Sequence, residues 1–288
     1  MKIKLSHYLI TASALGIAFL CGSCGRGDSD TTTIKVAGSD TMLQVGLSWG
    51  AAYKKATPGV AVSVAGEGSS TGFVALIDDT ADLSHSSRAI KPSEAKAIKD
   101  KRGEEAVEHI VGYDGIAVFV HKDNPVKSIS LPKLKEIWAE GGTIANWNEI
   151  GGSDAKIQRA GRANNSGTYG FFQKAVLGKG VEFKPKTAGM AGSSAVVEFC
   201  STTPSAIGYS GMSYKNEHVG WLSISAEEGG EAFEATIENV KNKSYPIARP
   251  LYIYTVGEPE GAVKEYLDWI KGEAGQAVVA EQGFVPYK

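Results

Sequence analysis

Apolar and polar positions along the chain switch repeatedly between a period of two residues and the longer period of a helix. Short runs rich in β-branched residues predict strands over 34–37, 60–65, 82–86, 113–121, 156–163, 206–209, 221–225 and 246–255. Between them, apolar stripes at helical spacing predict helices over 41–55, 71–77, 93–101, 131–140, 168–177, 193–201, 260–271 and 274–282. In the first of these, Met42, Val45, Trp49, Ala52 and Tyr53 fall on one helix face. Pro132 stands in the first turn of the 131–140 helix, where a missing N–H costs nothing. Alternation of this kind predicts open α/β sheets, in which ligands bind where strand C-termini feed helix N-termini.

The first residues break the pattern. Lys2 and Lys4 precede an apolar run over 8–20, and Gly22 and Ser23 lead into Cys24. That run is short for a membrane span and suits a secretory signal. Residues 1–23 read as a signal peptide, and the segment resembles a bacterial lipoprotein signal in which Cys24 takes the lipid. Cleavage before Cys21 would put Leu20 where a small residue is needed, which favours Cys24. The competing reading is an uncleaved N-terminal anchor. Residues 24–32 are polar and rich in Gly, Asp, Ser and Thr, the composition of a flexible tether.

Composition narrows the function. In 288 residues, 30 Lys+Arg against 32 Asp+Glu leave no basic surplus for neutralising a nucleic-acid backbone. Such a length supports a sizeable core in one or two domains. Once Cys21 and Cys24 are set aside, Cys200 stands alone in the body. It can form no internal disulfide, and no Cys/His cluster has metal-ligand spacing, so no cofactor or metal is expected. Cys200 reads as a small buried apolar residue.

Glycine is abundant, 35 residues, about 12% against roughly 7% in average proteins. Part of this excess flanks hydroxyls at three strand-to-helix junctions: Ala37-Gly38-Ser39-Asp40-Thr41, Gly66-Glu67-Gly68-Ser69-Ser70-Thr71-Gly72, and Arg162-Ala163-Asn164-Asn165-Ser166-Gly167-Thr168. A helix start has N–H groups with no intrahelical partner and a dipole that favours anions. Ser or Thr there is by itself an ordinary N-cap. Three glycine-flanked loops with paired hydroxyls, one of them carrying an arginine, point to a tetrahedral oxyanion held by neutral donors and one bidentate charge.

These segments, with Asp82 through Ser87-Arg88 and Ile207-Gly208-Tyr209, resemble the phosphate-binding lipoproteins of bacterial high-affinity phosphate ABC transporters. The most specific part is Arg162, Ser166, Gly167, Thr168 and Phe172, and the likeness runs from about Thr33 to the C-terminus. The resemblance implies a two-domain clamshell of the type II periplasmic-binding-protein class, with the ligand cleft between domains. It implies a first domain of 31–117 plus 250–288, a second of 118–249, and hinge crossings in the strands 113–121 and 246–255. It assigns phosphate contacts to Ser39, Thr41, the amide of Met42, Ser69, Ser87, Arg162, Ser166, Gly167 and Thr168. It also implies a monomeric, exported receptor, periplasmic or at the cell surface. Such a receptor touches the membrane only through its lipid, delivers phosphate to permease subunits and catalyses nothing.

The match departs from the better-known members at Ser87, where they carry an aspartate that accepts the proton of hydrogen phosphate. It follows a Ser-Arg branch, Ser87-Arg88, and Asn164 replaces an acidic residue beside the arginine. Asp40 and Asp114 are the candidate proton acceptors, with Asp114 alternatively an ion-pair partner for Arg88. Two other readings compete. Sulfate, molybdate or tungstate binders use the same donor logic. Gly68-Ser69-Ser70-Thr71-Gly72 also fits a hydrolase elbow with Ser70 as nucleophile and His109, His121 or His218 as base, although few strands precede it.

Overall fold

The computed structural model describes residues 31–288. The signal peptide, Cys24 and all but the end of the tether lie outside the described residues. Its strands are β1 (Thr32–Gly38), β2 (Val60–Ala65), β3 (Leu83–Ser86), β4 (Ala106–His121), β5 (Ser128–Ser130), β6 (Gln158–Arg162), β7 (Ala188–Met190), β8 (Ala206–Gly211), β9 (Val219–Ser225), β10 (Ala232–Phe233) and β11 (Ala248–Val256). Its α-helices are α1 (Leu43–Ala56), α2 (Ser69–Ile77), α3 (Pro92–Arg102), α4 (Leu131–Trp138), α5 (Gly167–Phe172), α6 (Ser193–Thr202), α7 (Ile237–Lys241), α8 (Gly261–Lys271) and α9 (Glu273–Glu281).

The strands form two sheet regions that share β4. In the first, β1 lies parallel between β2 and β3, and β11 runs antiparallel to both β3 and β4. The second is built on the far half of β4. Ile116–Val120 pairs there with β8, and Val118–His121 pairs with β9. β6 continues this region parallel to β8, and β7 follows parallel to β6. Each region has its own core. Ile34, Val36, Trp49, Leu83, Ile253 and Tyr266 pack together under the first. Val118, Phe119, Trp138, Phe172, Ile207 and Tyr209 pack under the second. Burying each such side chain contributes about 1.5–3 kcal/mol, so both lobes are held by side-chain burial of their own.

Local chemistry explains the ends of several helices. Ser130 Oγ accepts from Lys133 N to start α4, with Pro132 inside the first turn. Glu94 reaches back to Lys91 N at the start of α3, and Gly103, at φ 81°, ends that helix in the left-handed region. Trp49 Nε1 donates to Gly275 O at 2.8 Å and ties α1 to α9.

The structure changes several expected elements. β1 begins at Thr32, two residues before the predicted strand start, so the chain is paired to β2 where a tether was expected. β4 begins at Ala106, well before residue 113, because the polar stretch around Glu108 and His109 continues the antiparallel pairing with β11. The single helix predicted over 168–177 is α5 followed by a π-helical turn over Gln173–Leu177. The first helix is entered through a 3-10 turn, Asp40–Met42. β5, β7, β10 and α7 are five residues or fewer, too short for periodicity to mark.

Candidate functional site

The C-terminal ends of β1, β2 and β6 bring the three glycine-flanked loops together, and the end of β3 adds Ser87. Gly38 leaves β1 at φ 133°, and a Cβ there would sit 2.2 Å from His85 O, so only glycine fits this junction. Ser39 N then donates to His85 O at 2.8 Å. The His85 ring itself faces the core, edge-on to Trp49 at 5.9 Å, and burial pushes its pKa down to about 3. The second loop is anchored to the first by Gly68 N donating to Gly38 O at 2.7 Å, and α2 begins with the buried Ser69. The third loop follows β6, and Ser166 Oγ caps α5 by accepting from Thr168 N.

The hydroxyls of the two lobes meet directly. Thr41 Oγ1 and Thr168 Oγ1 are 2.8 Å apart. Ser39 Oγ donates to Ser87 Oγ at 2.9 Å, and Ser87 N donates to Ser69 Oγ at 3.1 Å. Gly167 lies against this group so closely that a Cβ would fall 2.3 Å from Ser69 Oγ and 2.5 Å from Ser87 Oγ. Across the same gap, Ser70 N donates to Asn165 O, and Asn165 Nδ2 donates to Glu67 O.

Two buried arginines border these hydroxyls. Arg162 Nη1 donates to Ser193 Oγ and its Nη2 to Asp40 Oδ2, both at 2.8 Å. The same Asp40 oxygen accepts from Ser193 N and Ser193 Oγ. Gly192, which precedes α6, has no side chain to cap that helix, so the carboxylate of the first loop does so from the opposite lobe. Arg162 Nε is buried and has no hydrogen-bond partner among the described residues. A buried guanidinium donor left unpaired costs about 1–3 kcal/mol or more, and an oxyanion oxygen would satisfy it.

Arg249, in β11, is the second arginine. Its Nε and Nη2 bond Asp114 Oδ2 at 3.2 and 2.8 Å, and Nη1 donates to Ser87 O at 2.7 Å. Nη2 also reaches Thr168 Oγ1 at 2.9 Å and Thr41 Oγ1 at 3.4 Å. Arg249 and Asp114 are register partners on adjacent strands, and both are inaccessible to solvent. Burial pushes the Asp114 carboxyl up and the Arg249 guanidinium down from their ordinary values, while their mutual attraction opposes both shifts.

A model of the PBP superfamily domain matches residues 26–273. The phosphate-binding protein PstS of Pseudomonas aeruginosa is 34% identical over 263 residues, which is 86% of this chain and 81% of that protein. Its counterpart of the same name in Bacillus subtilis is 31% identical over 301 residues, covering 99% of this chain and 94% of the relative. The chain belongs to this family. Among solved structures, a phosphate ABC transporter substrate-binding protein from Clostridium perfringens, with bound phosphate, superposes with a TM-score of 0.80 at 32% identity. It spans 89% of this chain and 100% of its own. The fold is thus the α/β clamshell of periplasmic binding proteins, with its cleft between two lobes.

Within that clamshell, the structure gathers Ser39, Thr41, Ser69, Ser87, Arg162, Ser166, Gly167 and Thr168 in one place, through the contacts already given. The amide of Met42 is engaged inside its own turn, donating to Ser39 O at 3.0 Å. One expected pairing is overturned. Arg88 pairs with Glu94 at 2.6 Å and donates to Ser70 Oγ, so Asp114 is left to Arg249. Glu94 lies six positions from Arg88 in the first turn of α3 and reaches it without crossing the sheet. Arg249 was not anticipated. Its one sequence signal is an arginine inside an otherwise apolar strand, which calls for a buried partner. Ser70 Oγ accepts from Arg88. His109 bonds Thr255, His121 accepts from Asp123 N, and His218 is exposed beside Glu217, so each proposed hydrolase base has another neighbour. Cys200 is buried and free, with burial pushing its thiol up to about 12.

Proposed function

We propose that this chain captures inorganic phosphate between its lobes outside the cytoplasm and delivers it to the permease of an ABC transporter. The observation that carries the reading is Arg162, buried with an unpartnered Nε beside a wall of hydroxyls contributed by both lobes. Its family and the phosphate-bound structural neighbour support the same ligand. The contacts are Ser39, Thr41, Ser69, Ser87, Arg162, Ser166, Gly167 and Thr168, with the Met42 amide joining once it leaves Ser39 O. Phosphate oxygens take over the hydroxyl pairings that otherwise join the lobes, so binding and closure are one equilibrium. Residues 31–117 with 250–288, and residues 118–249, move as the two bodies, with β4 and β11 as crossings. Among the described residues no helix is long and apolar enough to cross a membrane, and Cys24 is the lipid attachment point.

Thermal unfolding of ligand-stripped protein tests this with phosphate, arsenate, sulfate and molybdate. A hundredfold excess of ligand over Kd stabilises by about 2.7 kcal/mol, roughly 5–11 °C at this size. Phosphate and arsenate should give that shift at micromolar levels or below. A sample that ignores phosphate while responding to another oxyanion would overturn the ligand assignment.

A further inference from the structure

The cleft differs on its two flanks. On one, the loops are stitched together: Ser70 N donates to Asn165 O, Asn165 Nδ2 donates to Glu67 O, and a Cβ on Gly68 would fall 2.8 Å from Asn165 O. The hollow beside that seam, about 380 Å³, is lined by Asp40 and Glu67 and by no cationic side chain. On the other flank lies a cavity of about 580 Å³ between α5, the loop after β3, and β11. The buried Ser166 and Arg249, which border the hydroxyl cluster, form its inner end.

Four cations line this larger cavity, Arg88, Lys91, Lys174 and Arg249, and no carboxylate does. Glu94 and Asp114 neutralise the two arginines without lining it. Lys91 and Lys174 stand exposed on its rim, and neither enters an ion pair among the described residues. Glu182, which accepts from Gln173 Nε2, reduces that surplus from outside the cavity. Phe171, Pro250 and Tyr252 supply apolar wall, and walls of low dielectric focus the field of rim charges inward. The chain as a whole has a formal charge of −2, so attraction of an anion has to be local.

We propose that phosphate enters by this basic flank, and that Lys91 and Lys174 are steering residues that set its capture rate without holding the bound ion. The proposal rests on the phosphate reading above. A cleft lined by one sign of charge raises association rates by roughly 10- to 1000-fold, a gain that salt removes. Along this flank the ion meets Ser166 and Arg249 before the Thr41 and Thr168 hydroxyls. On the stitched flank Glu67 repels it, and the hydrogen bonds of Asn165 stand in its way.

Rapid filtration with radiolabelled inorganic phosphate measures association and release separately. Wild-type association should slow about tenfold between about 0.02 and 0.5 M ionic strength. Lys91→Glu combined with Lys174→Glu should slow association about tenfold at the low salt, leave release within about twofold, and remove or reverse the salt dependence. Lys54→Glu combined with Lys55→Glu makes the same charge change roughly 17 Å along α1 from its first residue, and should slow association no more than about twofold. All four lysines are exposed, so these variants keep the fold. Salt-independent wild-type association would overturn the proposal, as would a Lys91 and Lys174 variant that associates normally or differs only in release. Equal slowing by the Lys54 and Lys55 pair would reduce the effect to net charge and overturn it too. A gain of about tenfold from Glu67→Lys would place the entrance on the stitched flank instead. Wild-type protein that retains no phosphate at any salt would remove the reading on which the proposal rests.

Discussion

The two buried arginine–aspartate pairs have the same chemistry and different mechanical positions. Arg249 and Asp114 face each other on neighbouring strands, with side chains 1% and 0% exposed. They lie side by side on β11 and β4, within one sheet. Arg162 and Asp40 join opposite lobes, and the aspartate keeps 17% of its side chain exposed. One pair is part of the strand frame, and the other links the loop after β1 to the end of β6. Charge count alone does not separate them. Register, solvent access and the spare Nε of Arg162 do.

The largest expected effect is on the frame. Asp114→Asn leaves the Arg249 charge buried without a counter-ion, and breaking such a pair costs about 3–5 kcal/mol. Chemical denaturation should register that loss, and a change below about 1 kcal/mol would mean that the pair is not structurally needed. Next comes Arg162→Ala, which removes charge-assisted hydrogen bonds worth about 1.5–3 kcal/mol each. Phosphate affinity should fall by at least a hundredfold with only a modest stability change. The reverse outcome, normal affinity and a large stability loss, would exchange the roles of the two arginines.

A pH-dependent effect separates the pairs from the surrounding core when acid is used to probe them. His85 has an ordinary value of 6.5 and a folded value of about 3, so folding depresses it. The stability it represents is complete above pH 6.5 and is lost as pH falls towards 3, at up to about 1.4 kcal/mol per pH unit. Its Nε2 has no partner among the described residues, so His85→Leu should remove that slope without orphaning another group. If the acid slope persists unchanged, it belongs to the carboxylates. The smallest effect is expected for Asp40→Asn, about 1 kcal/mol in phosphate affinity, expressed mainly as faster release in stopped-flow measurements. A slower association rate with normal release would argue against a role in holding the lobes together.

The sequence made much of the site legible because its signals are local. A glycine, a pair of hydroxyls and the start of an apolar helical stripe lie within a few residues in each loop, and Arg162 stands four residues before Ser166. Strand–helix alternation likewise revealed the α/β class. The frame pair was not legible, because its residues are 135 positions apart and meet only through the register of β4 against β11. Arg88 misled for the same reason, since Glu94, six positions away, competes better than a partner across the sheet. The length of β4 escaped because the stretch around Glu108 and His109 pairs as strand without apolar alternation. Tyr254 donates to Glu108, and His109 bonds Thr255, so the neighbouring strand supplies what the local pattern lacks.

Helix α6 follows a glycine, Gly192, at its N-cap and borrows its terminal acceptor from Asp40 of the other lobe. That helix is therefore jointly owned. In the lobe opening proposed above, the Ser193 amide would lose its protein acceptor and the first turn would loosen. Amide hydrogen exchange at Ser193 thus becomes a built-in gauge of closure, readable without any label in the cleft. On that proposal, part of the free energy of closing would be stored as secondary structure inside one lobe, at a distance from the ion that prompts it.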